Sequence, residues 1–377
     1  MKKSKKTIAF FNGFYIPHLG GVERYTSKVV EILKKDYNII IVTTNDNNYP
    51  NKEELDGIKV YRLPVYSLCK NRYPFLHKNK EYRSLLEDIR KEKIDYVICN
   101  TRYYQTSILG AVISKEKKCP LYIIDHSSNH ISIGNKVLDY FGSLYEHYLT
   151  KKIKKYNPKF YGVSKRCNKW LKHFDIKASG VFYNAIDDKV YDEFYKEIDN
   201  GDTVIISYIG RIIKEKGILN LLDAFVDLRK KYSNIELYVA GDGPLLDGLK
   251  NKYTDSSIHF LGKLNYEEVM NLCVKTDMFV HPSMYPEGLP TSILEAGVMK
   301  CAVIATDRGG TKEVINNNNV GLIVEENVDD LIKKMNYLLE NKDKMNELKE
   351  NIHRRIIQKF TWKQTAKSIE KELENER

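Results

Sequence analysis

The stretch DMFVHPSMYPEGLPTSILEAG, residues 277–297, joins three kinds of residue pattern in succession. Its apolar run MFV has the composition of a buried β-strand. Pro290 suits the first turn of a helix, because the N–H that proline lacks would have no partner there, and SILEAGVM continues as a helix. The stretch therefore predicts a strand, a loop and a helix, which is the unit from which parallel α/β sheets are built.

The same alternation of apolar runs and helical patterns extends along the chain in two series. The first series contains the strand-like runs TIAFFN (7–12), NIIIVTT, DYVICN, PLYIIDH and KFYGVSK. The second contains TVIISYIGR (203–211), IELYVAGDG, IHFLGK, MFVHPS and CAVIATD. We predict an α/β protein with two Rossmann-like, doubly wound domains, residues 1–187 and 188–360, and a helical stretch 361–377 after the last strand. A length of 377 residues agrees with two cores of ordinary size.

The composition is that of a soluble globular protein, with 42% apolar and 29% charged residues. The N-terminal sequence MKKSKKTIAFFNGFY has too short an apolar run for a signal peptide, and no run of about 18 apolar residues predicts a membrane-spanning helix. We therefore expect a cytoplasmic protein. The six cysteines form no C-x-x-C pair, so they indicate neither a zinc site nor disulfide bonds.

Charge is distributed unevenly between the two halves. Residues 1–185 hold 34 Lys and Arg against 17 Asp and Glu, a net charge of +17, whereas residues 186–377 have a net charge of −6. A basic half is compatible with nucleic acid, an anionic membrane face or a phosphorylated substrate, and charge alone does not choose between them. The sequence contains no recognisable nucleic-acid-binding module, so we do not expect nucleic acid as a partner.

Open α/β sheets bind ligands beyond the carboxyl ends of their strands, so the loops after the strands hold the candidate residues. Gly20 and Gly21 precede a helix, where backbone N–H groups and the helix dipole either receive an anion or merely form a turn. His126 follows the run PLYIID and is either a structural residue or a ligand-binding one. Arg211 and Lys216 follow the first strand of the second series and are either solvated charges or a clamp for phosphate groups.

Two glutamates flank the start of the helix in the opening stretch. Glu287 lies in the loop before Pro290, and Glu295 lies more than a turn inside the helix. Carboxylates accept hydrogen bonds in pairs from adjacent hydroxyl groups, which sugar rings present. Between the glutamates, the helix N-terminus offers N–H groups to a phosphate. The segment is therefore a candidate site for sugar, phosphate and ribose together.

The motifs GGVER, a strand-end histidine, GRIIKEKG, AGDGP and PEGLPTSILEAG, in this order over almost the whole chain, resemble the retaining GT-B glycosyltransferases of family 4. The resemblance implies two Rossmann-like domains facing a central cleft, with the acceptor bound by residues 1–187 and the donor by 188–360. It also implies that Glu287 contacts the donor sugar's hydroxyl groups and that Glu295 contacts the ribose. The helical stretch 361–377 would then cross back to the N-terminal domain.

The other motif residues take their implied roles from the same resemblance. Arg211 and Lys216 match the basic pair that neutralises the leaving diphosphate. Gly20 and Gly21 match the loop beside the phosphates, and His126 matches a histidine that contacts the transferred sugar. The remaining residues assigned to the donor site are Gly288, Leu289 and Thr291. The chain departs from the family in having Ser127-Ser128 after the histidine and proline at position 290, where Thr291 is the better N–H donor to phosphate.

The implied function is retaining transfer of a sugar from a UDP- or GDP-sugar to a hydroxyl group of a saccharide, which would be a polyprenyl-diphosphate-linked acceptor in bacterial surface polysaccharide synthesis. No Asp-x-Asp occurs in the chain, so we expect Arg211 and Lys216 to replace a divalent metal, with no metal and no cofactor. Two alternatives remain, a nucleotide-sugar epimerase and a non-catalytic nucleotide-sugar-binding relative.

A basic and aromatic stretch, YEHYLTKKIKKYNPKFYGVSKRCNKW (145–170), bears on the location of the acceptor. Either its lysines complement a helix dipole and Tyr148 and Ile153 belong to a core, or the stretch docks on an anionic membrane surface. The net charge of the N-terminal half favours docking. We therefore expect a peripheral protein on the inner face of the cell membrane.

Overall fold

Parallel strands joined by helices make up both halves of the chain, as the sequence predicts. The computed structural model describes residues 5–18, 20–68, 73–131, 134–285 and 288–375. The chain divides into two compact units. Unit 1 consists of Met1–Tyr183 with Thr365–Arg377, and unit 2 of Asn184–Gln364. The division of acceptor and donor binding between the domains stays a prediction.

Unit 1 contains a mixed sheet whose central strands are parallel. Its strands are β1 (Thr7–Phe11), β2 (Asn38–Asn45), β3 (Lys52–Leu55), β4 (Ile58–Leu68), β5 (Tyr73–Leu76), β6 (Tyr96–Asn100), β7 (Leu121–Asp125), β8 (Lys159–Gly162) and β9 (Gly180–Val181). The order across the sheet is β3-β4-β2-β1-β6-β7-β8-β9, and β5 pairs with β4. Strands β3 and β5 are antiparallel to β4, and the other pairs are parallel.

The helices of unit 1 cover this sheet. They are α1 (Gly21–Leu33), α2 (Lys80–Lys91), α3 (Gln105–Lys117), α4 (Lys136–Lys154) and α5 (Lys165–Leu171), which a 3₁₀ turn, Lys172–Phe174, follows. Helix α1 shows why they form, because Tyr25, Val29 and Leu33 recur at helical spacing and are all buried. The N-cap residues of α2 and α4 are Asn79 and Asn135, whose side chains accept hydrogen bonds from first-turn N–H groups.

Unit 2 contains an all-parallel sheet. Its strands are β10 (Val204–Ile209), β11 (Ile235–Ala240), β12 (Ile258–Gly262), β13 (Met278–His281), β14 (Ala302–Thr306) and β15 (Leu322–Val324), in the order β12-β11-β10-β13-β14-β15. This order is that of a Rossmann fold, with the direction of winding reversed between β10 and β13. The central strands β10, β13 and β14 are almost wholly buried, as expected where helices cover both faces, whereas the edge strand β12 is partly exposed.

The helices of unit 2 connect these strands. They are α6 (Val190–Phe194), α7 (Ile218–Arg229), α8 (Leu246–Lys252), α9 (Tyr266–Lys275), α10 (Thr291–Val298), α11 (Thr311–Val314), α12 (Val328–Glu340) and α13 (Lys342–Lys359), with a 3₁₀ turn at Lys214–Lys216. The helix predicted after Pro290 begins one residue later, at Thr291, so that Pro290 is the N-cap residue. In the described part of the chain, none of the helices is both long enough and apolar enough to cross a bilayer.

The last helix, α14 (Trp362–Glu374), begins in unit 2 and lies mostly in unit 1. Its Glu372 carboxylate accepts a hydrogen bond of 2.8 Å from the Tyr161 hydroxyl, and the Thr365 hydroxyl donates to the Tyr183 carbonyl over 2.9 Å. Burial is the largest cause that raises the pKa of Tyr161, so its hydroxyl stays a donor at neutral pH. The end of the chain is thus bound to the sheet of unit 1.

Two features of unit 1 lie outside the sequence prediction. Strand β3 has alternating exposed and half-buried residues and two adjacent glutamates, so it lacks the apolar run that marks a buried strand. Strands β4 and β5 form an antiparallel pair at the same edge of the sheet. The prediction of two series of strands did not include them. The cysteines that the structure describes are all free, and Cys69 lies outside the described residues.

Candidate functional site

The loop after β10 carries Arg211 and is supported by the turn after β11. The Ile212 N–H donates to the Asp242 carbonyl over 2.9 Å, and the Leu245 N–H donates to the Ile212 carbonyl over 3.3 Å. Gly241 has a φ of 139°, and a Cβ there would collide with the Gly210 carbonyl oxygen. The two loops therefore pack backbone against backbone, and Arg211 is exposed at the surface of this junction.

The 3₁₀ turn that carries Lys216 is hydrogen-bonded to the loop after β13. The Met284 N–H donates to the Glu215 carbonyl over 2.9 Å. Gly217 has a φ of 70°, and a Cβ there would overlap the Pro282 carbonyl, so only glycine allows this close approach. The Lys216 ammonium lies 5.4 Å from the centre of the Tyr285 ring. Lys216 is thus held at the point where the loops after β10 and β13 meet.

Helix α10 follows the β13 loop and carries the remaining donor-site candidates of unit 2. The Gly288 carbonyl accepts a 2.6 Å hydrogen bond from the Gly310 N–H, and Leu289 is buried. Pro290 has no side-chain acceptor for the first N–H groups of α10, which begin at Thr291. Glu295 is half-buried in the middle of the helix. Glu287 lies outside the described residues.

Strand order explains why these residues share one end of unit 2. Arg211 and Lys216 follow β10, and Gly288, Thr291 and Glu295 follow β13. These two strands are neighbours on opposite sides of the reversal in winding, and at such a position in an open parallel sheet the two following helices leave a crevice. Gly20, Gly21 and His126 belong to unit 1.

The predicted anion-binding turn of unit 1 contains a carboxyl group that the sequence analysis did not consider. Helix α1 begins at Gly21, and Gly20 is its N-cap residue in an extended conformation. The Glu23 carboxyl group lies against Gly20, close enough to collide with an added Cβ. Glu23 is buried, and this burial raises its pKa. An anion that approached this helix start would meet the Glu23 side chain.

His126 is held by a network of amide side chains at the carboxyl ends of β1 and β6. Its Nε2 lies 2.9 Å from Asn100 Oδ1, while Asn100 Nδ2 donates to Asn12 Oδ1 and to Thr26 Oγ1. Because the Asn100 amide nitrogen is used as a donor, its oxygen accepts from His126, and Nε2 of the imidazole carries the hydrogen. The Tyr25 ring packs edge-on at 4.8 Å.

Burial determines the charge of His126. The imidazole is half-buried, and its removal from water lowers its pKa from 6.5 to about 4, with the Asp125 charge as a smaller opposing effect. His126 is therefore neutral at neutral pH. With the hydrogen on Nε2, Nδ1 is the acceptor nitrogen.

Sequence reasoning missed the residues that fix the loop around His126. The buried Arg102 donates to Asp125 Oδ2 over 2.5 Å and to the Ser127 hydroxyl over 2.7 Å. The Ser127 N–H donates to Asp125 Oδ1 over 2.9 Å. Ser127, one of the departures from the family pattern, is thus a structural partner of Arg102. The signal for Asn12 and Asn100 is visible in the sequence, where each asparagine ends an apolar strand run.

Comparison with known proteins identifies the family. The model of glycosyl transferases group 1 matches residues 190–355, and that of glycosyltransferase family 4 matches residues 19–190. An uncharacterised glycosyltransferase of Methanocaldococcus jannaschii is 28% identical, with 99% of each chain covered. The UDP-Gal:alpha-D-GlcNAc-diphosphoundecaprenol alpha-1,3-galactosyltransferase of Escherichia coli is 24% identical over 96% of this chain and 95% of its own.

Solved structures agree on the fold. The crystal structure of Anabaena HepE in complex with UDP-glucose matches with a TM-score of 0.68 at 16% identity, covering 98% of this chain and 99% of that one. The likeness confirms the predicted α/β architecture with two Rossmann-like domains. This protein therefore belongs to the group 1 glycosyltransferases and is a transferase with the GT-B fold.

Proposed function

We propose that this protein transfers a glycosyl group, with retention of anomeric configuration, from a UDP- or GDP-sugar to a hydroxyl group of a saccharide. The observation that carries the proposal is the junction of the β10 and β13 loops, which joins the turn of Lys216 to the segment leading into α10. The relatives support the donor class, because the Escherichia coli enzyme is named for UDP-Gal and HepE was crystallised with UDP-glucose.

In the proposed reaction the bond between the anomeric carbon and the diphosphate oxygen breaks, and the acceptor oxygen bonds to the same face of that carbon. The acceptor proton passes to the departing phosphate oxygen. Arg211 and Lys216 stabilise the negative charge that develops on the diphosphate. The backbone hydrogen bonds of both loops fix the positions from which these two side chains extend, so the loops need little reorganisation during the reaction.

The residues around α10 bind the donor in this proposal. Glu287 accepts hydrogen bonds from the sugar hydroxyl groups and Glu295 from the ribose, while Gly288, Leu289 and Thr291 surround the phosphates. A proline at the N-cap favours this use of the helix start, because its side chain does not occupy the first N–H groups. Gly20 and Gly21 keep their predicted role in donor binding in this proposal, with Glu23 as a competing carboxyl group at the same helix start.

His126 acts on the transferred sugar as a neutral group. Its low pKa keeps the imidazole uncharged, and its Nδ1 accepts a hydrogen bond from a sugar hydroxyl group. A charged imidazolium would instead donate from both nitrogens and would oppose the positive charge that develops on the anomeric carbon. The hydrogen bond to Asn100 is therefore a positioning contact for this role.

Helix α4 supports a membrane location for the acceptor. Between residues 137 and 148 it presents apolar side chains that are between 47% and 65% exposed, namely Val137, Leu138, Tyr140, Phe141, Leu144 and Tyr148. Its last turn and the next residue place Lys151, Lys152 and Lys155 in solvent. Tyr148 is exposed, whereas Ile153 is fully buried. An exposed apolar surface beside lysines matches the interface of an anionic bilayer.

We propose accordingly that the protein is cytoplasmic and docks through α4 on the inner face of the cell membrane, where it uses a polyprenyl-diphosphate-linked saccharide as acceptor. The Escherichia coli relative is named for an acceptor linked to diphosphoundecaprenol, which supports this class of acceptor. The net charge of +17 in residues 1–185 provides long-range attraction to acidic lipids, which salt screens within about 10 Å at 0.1 M.

The donor-site proposal predicts different losses for the two glutamates. Glu287→Ala should abolish transfer, and Glu295→Ala should mainly weaken nucleotide binding by about 1.5–3 kcal/mol, because a charged hydrogen bond to ribose is lost. Calorimetric titration with the nucleoside diphosphate and a transfer assay measure the two effects. Glu267→Ala, an exposed glutamate on α9, is the control and should change neither. Unchanged nucleotide affinity in Glu295→Ala would contradict its role.

The diphosphate clamp predicts that transfer continues in the presence of EDTA. The sequence contains no Asp-x-Asp motif, and in this proposal Arg211 and Lys216 replace the metal ion. Arg211→Ala and Lys216→Ala should each lower turnover about 100-fold or more, since the charge on the leaving group is then unbalanced. Lys214→Ala, in the same 3₁₀ turn and exposed, should keep near-normal turnover. Activity that EDTA removes and Mg²⁺ or Mn²⁺ restores would disprove the metal-free mechanism.

The membrane proposal predicts binding to vesicles of phosphatidylcholine with phosphatidylglycerol but not to phosphatidylcholine alone, measured by co-sedimentation. Binding should decrease steeply with salt. Lys151→Glu with Lys152→Glu should weaken it more than about tenfold, because each basic residue near an acidic surface contributes about 1 kcal/mol. Lys250→Glu with Lys263→Glu, exposed lysines of unit 2, should weaken it far less. Equal binding to both kinds of vesicle would reject the docking surface.

A further inference from the structure

Three histidines of unit 1 converge on one point although they are far apart in the sequence. His130 lies between β7 and α4, His147 lies within α4, and His173 lies in the 3₁₀ turn after α5. One ring nitrogen from each lies within 4.8 Å of the other two. Their spacing matches no metal-binding motif, so only the fold brings them together. We call them the histidine cluster.

The distances within the histidine cluster suit a transition metal ion. Zinc binds imidazole nitrogen at about 2.0–2.1 Å in a tetrahedral arrangement, which separates two ligand nitrogens by about 3.3 Å. His147 Nε2 and His173 Nε2 are 3.2 Å apart. An ion between them would need only a small movement of the third imidazole to complete three ligands. Imidazole nitrogen favours zinc and similar metals over Mg²⁺ or Ca²⁺.

His130 is hydrogen-bonded to a carboxylate, as metal-bound histidines commonly are, and this bond orients its ring. Nδ1 of His130 lies 3.0 Å from Glu146 Oε2, and Glu146 is fully buried. A carboxylate that accepts from one ring nitrogen fixes the hydrogen there and leaves the lone pair on Nε2. The Trp170 ring stacks on His173 at 4.7 Å with an interplanar angle of 9°, which restricts that imidazole as well. Two of the three rings are therefore positioned by their neighbours.

The charges behind the cluster favour a bound cation. Arg102, Asp125 and Glu146 are all buried, and Arg102 forms ion pairs with both carboxylates. One positive and two negative charges leave an excess of one negative charge, which is costly away from water. A bound metal ion would balance this excess negative charge.

We propose that His130, His147 and His173 bind one divalent transition metal ion, with zinc as the best match and water in the fourth position. The ion would join α4 to the turn that follows α5, and so fix the helix to the rest of unit 1. Its role is structural. Arg211 and Lys216, the cations proposed to stabilise the diphosphate, belong to unit 2, and this inference does not rest on the proposed transfer reaction.

The test uses the full chain without a polyhistidine tag, stripped with EDTA and dialysed. Titration with Co²⁺ should give the absorption bands of a tetrahedral site with a stoichiometry of one, and Zn²⁺ should displace the Co²⁺. With Zn²⁺ at about 100 times its Kd, the unfolding temperature of unit 1 should rise by about 5–10 °C. Transfer at a temperature far below unfolding should persist in EDTA, which separates this site from the catalytic proposal.

Matched variants decide between a metal site and a cluster of hydrogen-bonded histidines. His173→Gln changes an exposed side chain and should fold normally, yet lower the Co²⁺ affinity at least 100-fold. His147→Gln should have the same effect. His259→Gln, which changes a histidine paired with Glu236 in unit 2, should bind Co²⁺ as the unchanged protein does. Absence of one-to-one Co²⁺ binding, or binding that survives in the His147→Gln/His173→Gln double variant, would overturn the proposal.

Discussion

The contact between the loops after β10 and β13 is the constraint on which the arrangement of the candidate residues in unit 2 depends. Winding reverses between these two strands, so their loops diverge to opposite faces of the sheet and leave a crevice. The hydrogen bond from the Met284 N–H to the Glu215 carbonyl closes the base of that crevice. Gly217 permits it, since any side chain would collide with Pro282. The position of Lys216 relative to α10 follows from this one junction.

Unit 1 differs from unit 2 at the carboxyl ends of its strands, because polar groups are buried there. Asn12 and Asn100 end neighbouring strands and give His126 a fixed tautomer. Nearby, Arg102 holds two buried carboxylates, and removing one partner from such a group leaves an uncompensated charge at a cost of about 3–5 kcal/mol. His126 and the histidine cluster are both attached to this network through β7 and α4.

The sequence predicted the parts of the fold that repeat and missed those that depend on distant contacts. Apolar strand runs followed by helical patterns indicated both sheets, because strands covered on two faces must be apolar. Strand β3, with exposed charged residues, gave no such signal. Arg211, Lys216 and Glu295 could be proposed from the sequence because they follow strands. Arg102, Ser127 and the histidine cluster were missed because their partners are brought together only by folding.

In the proposed reaction, a nucleotide sugar bound at the β10 and β13 loops gives up its sugar with retention. The most direct test is proton NMR of the first product formed from UDP- and GDP-sugars, with and without a lipid-linked saccharide acceptor. We expect one of these donors to be consumed only when acceptor is present, and the new glycosidic bond to have the anomeric configuration of the donor. Inversion at that carbon, or an epimerised nucleotide sugar formed without acceptor, would contradict the account.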